Sequence, residues 1–174
     1  PKRWFYETDP NRPGDGRPLD SVHPSMTLER IRTPDFQPPV GAMCFMPDGA
    51  LAIATWEPTG SVFILRNIDG RQPGGLHIKR FASGLGEPLG IAYFDDHLLV
   101  TQKQEVTRLR DTDNDGIADH YEAVAANWPA SHNYHEFSMN LVPHNRHLYL
   151  TTSVPLKSGM TMYQIQGTGA VLLD

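Results

Sequence analysis

PLGIAYFDDHLLVTQ, residues 88–102, is two apolar runs of strand length on either side of Asp95-Asp96. Leu98, Leu99 and Val100 are consecutive, as in a strand covered on both faces, and a two-residue polar break is what a tight hairpin uses. The layout recurs. VGAMCFMPDGALAIATW (40–56) has it around Pro47-Asp48-Gly49, and HEFSMNLVPHNRHLYLTT (135–152) around Pro143-His144-Asn145-Arg146. In each, a strand leads through a polar turn to a second strand ending in Thr. Leu51, Leu98 and Leu148 mark the same place, 47 and 50 residues apart. A third strand follows in each unit, SVFILR (61–66), EVTRLR (105–110) and GMTMYQI (159–165). A fourth can be drawn at HIKRFAS (77–83), HYEAVAA (120–126) and GAVLLD (169–174). Four short antiparallel strands repeated at about fifty residues are the pattern of β-propeller blades. The sequence therefore predicts an all-β chain: a partial β-propeller over 26–174, in four-stranded units near 40–83, 88–126 and 135–174. A generic meander or sandwich is the plainer alternative. Three blades do not close a ring, since propellers need four or more, so remaining blades or other chains are expected to complete it.

Residues 1–25 carry five prolines and no apolar period, and read as an extended N-terminal arm that Trp4, Phe5 and Tyr6 could pin to a surface. MTLERIR (26–32) alternates like a half-buried strand. The chain starts at Pro1 without a Met, which suggests a processed form or a fragment. At 174 residues and a net charge of −5, it is long enough for one core and is not a first guess for nucleic-acid binding. No apolar segment is long enough to span a membrane. Cys44 is the only cysteine, which excludes an internal disulfide, a zinc knuckle and a CxxCH haem attachment.

DTDNDGIADHYE (111–122) carries the strongest ligand signal. Asp111, Asp113, Asp115 and Asp119 fall at positions 1, 3, 5 and 9 of an EF-hand-like calcium loop, Gly116 at position 6 and Glu122 at position 12. Ca²⁺ takes six to eight oxygens. Asp111, Asp113 and Asp115 can give one each, Ile117 its backbone carbonyl, Asp119 a direct or water-mediated contact, and Glu122 two. A solvated acidic turn is the alternative. The loop lies between the third and fourth strands of its unit, so the calcium is expected to be structural.

GAMCFMPDGALAIAT, RFASGLGEPLGIAY, VTQKQEVTRLRDTDNDGIADHYE and NYHEF…LYLT together resemble the six-bladed propellers of the soluble quinoprotein glucose/sorbosone dehydrogenase group. The resemblance extends to large bacterial membrane-bound dehydrogenase proteins, often fused to c-type cytochrome domains. It covers residues 26–165 and is most specific from Leu85 to Glu122. It implies pyrroloquinoline quinone (PQQ) and calcium as cofactors, and a sugar or alcohol as substrate. It also implies a cytochrome domain as electron acceptor and an extracytoplasmic location, periplasmic or secreted.

In such blades the loops entering the first strand and joining the second to the third share one face. That face receives His135 with His132, Asn133 and Glu136 beside it, Glu87, Gln102 and Lys103 from the second unit, and Trp56 and Glu57 from the first. His135 resembles the family's catalytic base, which takes the hydroxyl proton of the substrate while hydride moves to the quinone; an imidazole suits that work near neutral pH. Here six residues separate His135 from Leu141 where the family pattern has five, and Met139-Asn140 replaces a Gly-Arg pair. Gln102 and Lys103 are the candidates for the quinone carboxylates. Trp56 and Trp128 are possible sugar platforms, or simply packing. His132/His135 and His144/His147 are each spaced by three, without a third ligand for a transition metal. Two other readings stand beside the dehydrogenase. One is a non-catalytic, calcium-stabilised binding or scaffold module of a larger secreted protein. The other is a lactonase-type hydrolase, for which only Glu87 and Asn133 would be in place.

Overall fold

The computed structural model describes residues 33, 35–70, 74–128, 130, 135–153, 160–166 and 169–173, the last two stretches as backbone. The arm at 1–25 and the strand at 26–32 lie outside the described residues. The chain divides into two units, Pro1–Phe36 and Gln37–Asp174. In the first, Thr33 and Phe36 form an isolated antiparallel bridge.

Among its described residues the second unit contains twelve strands and no helix. They form three antiparallel four-stranded sheets, each taking its strands in chain order. The first holds β1 (Val40–Phe45), β2 (Leu51–Thr55), β3 (Gly60–Arg66) and β4 (His77–Leu85). The second holds β5 (Gly90–Phe94), β6 (His97–Thr101), β7 (Val106–Arg110) and β8 (His120–Ala125). The third holds β9 (Ser138–His144), β10 (His147–Ser153), β11 (Met160–Gln166) and β12 (Gly169–Leu173).

Turn chemistry sets these registers. Asp95 and Asp96 both take positive φ, 50° and 61°, as do Asn145 and Arg146 at 46° and 64°. Two such residues make the turn that matches strand twist, and Asp and Asn tolerate it. The third-sheet turn is tighter than the sequence suggests. Pro143 and His144 remain in β9, where Pro143 pairs with Leu148 and His144 with His147. In the first sheet Gly49, at φ 83°, closes the turn by donating its amide to the Met46 carbonyl at 2.9 Å.

Alternation along β6 explains its continuous apolar run. Leu98 and Val100 join Ala52, Ala54, Val62 and Ile64 of the first sheet in one apolar cluster. Leu99, between them, joins Leu141, Leu148 and Leu150 of the third sheet in another. Each fully buried aliphatic side chain contributes about 1.5–3 kcal/mol. The two clusters bind the three sheets in sequence order.

The first strands of successive sheets approach backbone to backbone. Leu89 and Met139 form a parallel bridge, and the Asn140 amide donates to the Leu89 carbonyl at 3.0 Å. A Cβ on Gly41 would lie 2.6 Å from the Pro88 carbonyl oxygen, and one on Gly90 would collide with the Asn140 carbonyl. Glycine is required at both places because the neighbouring strand occupies the side-chain space. The far side of β1 leaves Met43 and Phe45 63% and 66% exposed.

Candidate functional site

At the end of the sheets where β2 and β6 finish, loops from all three sheets converge. Trp56 follows β2, is 47% exposed, and meets the Phe137 ring edge-on with centroids 5.9 Å apart. Lys103 follows β6 and holds its ammonium 6.0 Å from the centroid of the same Phe137 ring. His135 is exposed just before β9. Its carbonyl accepts the Ser153 hydroxyl at 2.8 Å. Aromatic surface beside an ammonium suits a flat, anionic ligand.

Buried polar groups hold Lys103. Ser138, only 1% exposed, donates its hydroxyl to the Lys103 carbonyl at 2.8 Å. The Trp128 indole donates to the Ser138 hydroxyl at 2.8 Å and to the Lys103 carbonyl at 3.3 Å. Trp128 is 5% exposed and therefore packs inside rather than offering a platform. The Lys103 amide also donates to the Gly86 carbonyl at 3.3 Å.

Gln102 is occupied within its own loop. Its amide oxygen accepts the Gly86 amide at 2.5 Å, and its amide nitrogen donates to Glu105 at 3.0 Å and Thr107 at 2.6 Å. Of the two quinone-carboxylate candidates, Lys103 alone extends toward the aromatic pair. Glu136 is buried, whereas Glu57 accepts the Thr55 hydroxyl at 2.7 Å. Glu87 takes a left-handed backbone, φ 49°, and its amide donates to the Glu57 carbonyl at 3.2 Å, which ties the first two sheets at this rim. His132 and Asn133 lie outside the described residues.

Between His135 and Leu141 the first strand of the third sheet carries a β-bulge. Thr151 pairs with Met139 and Tyr149 with Val142, so Asn140 and Leu141 together oppose Leu150. Asn140 takes φ 60°, which Asn tolerates. Phe137 and Ser138 were not singled out by sequence reasoning; an aromatic immediately before the first strand of a unit is the only signal for them.

The acidic loop lies at the opposite end, where Arg110 pairs with His120. Ligand atoms of Asp111, Asp113 and Asp115 all fall within 4.8 Å of one another. The Gly116 amide donates to Asp111 at 2.8 Å, and the Asp115 amide to Asp111 and Asp113 at 3.2 Å each. Gly116 has φ 80°. The Ile117 amide donates to the Asp115 carboxylate at 2.7 Å. Three carboxylates gathered at the front of a turn fit a hard cation. Asp119 and Glu122 point elsewhere. Asp119 accepts the Thr112 hydroxyl at 2.5 Å and the Thr112 amide at 3.0 Å, and these bonds hold its carboxyl below the usual range. Glu122 lies in β8 opposite Arg108, and its carboxylate meets Arg110 at 2.9 Å and Arg108 at 3.4 Å.

His144 and His147 are bound into their own turn. His144 meets the Asn145 amide at 2.9 Å, and His147 the Asn145 carbonyl at 2.8 Å.

Residues 44–166, more than half of the chain, match a family described as a domain of unknown function (DUF7133), and the chain belongs to that family. No curated protein matches the chain.

Proposed function

We propose that this chain supplies consecutive blades of a β-propeller dehydrogenase of the PQQ-dependent type, acting on a sugar or alcohol. The observation that carries the reading is the convergence of Trp56, Lys103 and Phe137, from three sheets, beside His135. Lys103 would hold a carboxylate of the quinone, and Trp56 with Phe137 would wall its ring or the sugar. When bound, the quinone supplies the hydride acceptor. His135 would take the proton of the substrate hydroxyl, a role worth about 10²–10⁴-fold in rate. The six-bladed ring and a cytochrome domain as electron acceptor belong to the same reading.

The stacking supports a larger ring. Leu98 and Leu148, equivalent in the repeat, each sit in the apolar cluster shared with the preceding sheet. Leu51 is their equivalent in the first sheet, on the side where Met43 and Phe45 are exposed. A preceding blade would cover that side. Asp111, Asp113 and Asp115 would hold a structural Ca²⁺, with the Ile117 carbonyl and water completing its shell. Extracytoplasmic calcium levels suit such a site.

A second reading, a calcium-stabilised scaffold without catalysis, draws on Gln102, whose amide is used up inside its loop. Adding PQQ and Ca²⁺ to the purified protein and following dye reduction over sugars and alcohols separates the two. Turnover that disappears in His135→Ala, with PQQ affinity weakened in Lys103→Ala, supports the dehydrogenase. Calcium stabilisation without PQQ binding or turnover supports the scaffold.

A further inference from the structure

The three sheets repeat one pair of positions at the mouth, where the residue entering the first strand faces the residue leaving the second. In the first sheet these are Pro39 and Trp56, since Val40 pairs with Thr55 and the Trp56 amide donates to the Pro39 carbonyl at 2.7 Å. In the second, Gly90 pairs with Thr101, which sets Pro88 opposite Lys103. In the third, Ser138 pairs with Thr152, and the Ser153 amide donates to the Phe137 carbonyl at 2.8 Å. Trp56, Lys103 and Ser153 are therefore equivalent in the repeat, as are Pro39, Pro88 and Phe137.

Trp56 and Lys103 offer a ring and an ammonium to the mouth. Ser153 instead turns its hydroxyl onto its own chain. The hydroxyl oxygen accepts the Phe137 amide at 2.7 Å and donates to the His135 carbonyl at 2.8 Å, with the Phe137 carbonyl a second acceptor at 3.3 Å. Proline at the entry position fixes φ and has no amide hydrogen to satisfy. The third sheet gives up that stiffness to place an aromatic ring there, and Phe137 brings the amide hydrogen back. The Ser153 hydroxyl accepts it and restrains the entry by a bond across the ladder. The same oxygen reaches His135, three residues before β9 begins. One hydroxyl thus ties His135 and Phe137 into a single unit.

We propose that Ser153 is the positioning residue for His135 and for the ring of Phe137 beside it. The role rests on the reading of His135 as the base. An imidazole on a strand lead-in serves that reaction only if its backbone is held, since a misplacement of about 1 Å can cost about 10²-fold in rate.

The test compares Ser153→Ala with Ser153→Thr, which keeps the hydroxyl, by two readouts. The first is the NMR signal of the His135 imidazole in the protein without added cofactor, assigned by its loss in His135→Ala. It should shift or broaden in Ser153→Ala and stay in place in Ser153→Thr. The second is turnover with PQQ and Ca²⁺ added. Ser153→Ala should lower kcat about tenfold or more, and Ser153→Thr should remain within about threefold of the unsubstituted protein. PQQ affinity should change less than kcat in Ser153→Ala, because Lys103 is held separately by Ser138 and Trp128. An unmoved His135 signal, or an unchanged kcat in Ser153→Ala, overturns the proposal and leaves the dehydrogenase reading standing. A loss of kcat that only follows a fall in melting temperature, with PQQ affinity lost in step, makes Ser153 a structural residue and also overturns it. Absence of turnover in the unsubstituted protein instead removes the dehydrogenase reading, and this role for Ser153 with it.

Discussion

Gly90 lies so close beneath the Asn140 carbonyl that no side chain fits between them. The same carbonyl accepts the Thr101 hydroxyl at 3.0 Å. The contact joins the first strands of the second and third sheets, and both partners are backbone, so neither can swing aside. Gly90→Ala should therefore destabilise the protein by about 1–3 kcal/mol, the usual cost of overpacking. Urea midpoints of the two proteins measure it; a change within error would mean the strands separate easily.

Ser138 gives a second prediction. Its hydroxyl links the Trp128 indole to the Lys103 carbonyl in a buried setting. Ser138→Ala leaves the Trp128 indole and the Lys103 carbonyl only their longer bond to each other, at 3.3 Å, and should cost about 0.5–1.5 kcal/mol. If Lys103 binds an anionic ligand, the same variant should also weaken that ligand, because the loop that aims the ammonium is loosened. Calorimetric titration alongside the melting curve distinguishes the two effects.

Calcium dependence follows from the front of the acidic loop. Calcium at about 100 times its dissociation constant should stabilise the protein by roughly 2.7 kcal/mol. Asp111→Ala should abolish that gain, and should lower stability before it alters any chemistry at the opposite end. Thermal melts with calcium and with chelator give the answer. An Asp111→Ala protein that keeps its calcium response but loses activity would contradict a structural role.

Cys44 predicts an alkaline weakness. Burial lifts its thiol from 9.0 to about 11, partly offset by a hydrogen bond with the Tyr93 backbone. The folded chain therefore keeps a proton that the unfolded chain releases. Stability contributed by the neutral thiol is intact below about pH 9 and declines between about pH 9 and 11. Cys44→Ala should show a shallower fall over that window in denaturant melts, and native Cys44 should react slowly with iodoacetamide near neutral pH.

The strands were legible because each turn carries its own signature. Asp95-Asp96 and Pro47-Asp48-Gly49 bracket apolar runs whose period leaves little choice of register. Pro143 misled only about where a strand ends, since a proline can sit in a strand where its nitrogen is not required by the ladder. The acidic loop was legible in its first half, where spacing alone brings Asp111, Asp113 and Asp115 together. Its second half was not, because loop spacing assumes a particular exit. Here the chain leaves into β8, and the strand carries Glu122 across to Arg108 and Arg110. The aromatic mouth was the least legible part. Trp56 and Phe137 are 81 positions apart in the sequence and meet only because three sheets place their loops at one end.

Each sheet is made from four strands consecutive in the chain, and the apolar clusters join each sheet to the next. Every major pairing therefore closes a short loop, and loop closure is the chief entropic barrier in β topologies. The chain can assemble sheet by sheet as it is synthesised, without waiting for distant partners. Pulsed hydrogen exchange during refolding should find β5, β6 and β7 protected together, ahead of the contacts that lock one sheet to its neighbour.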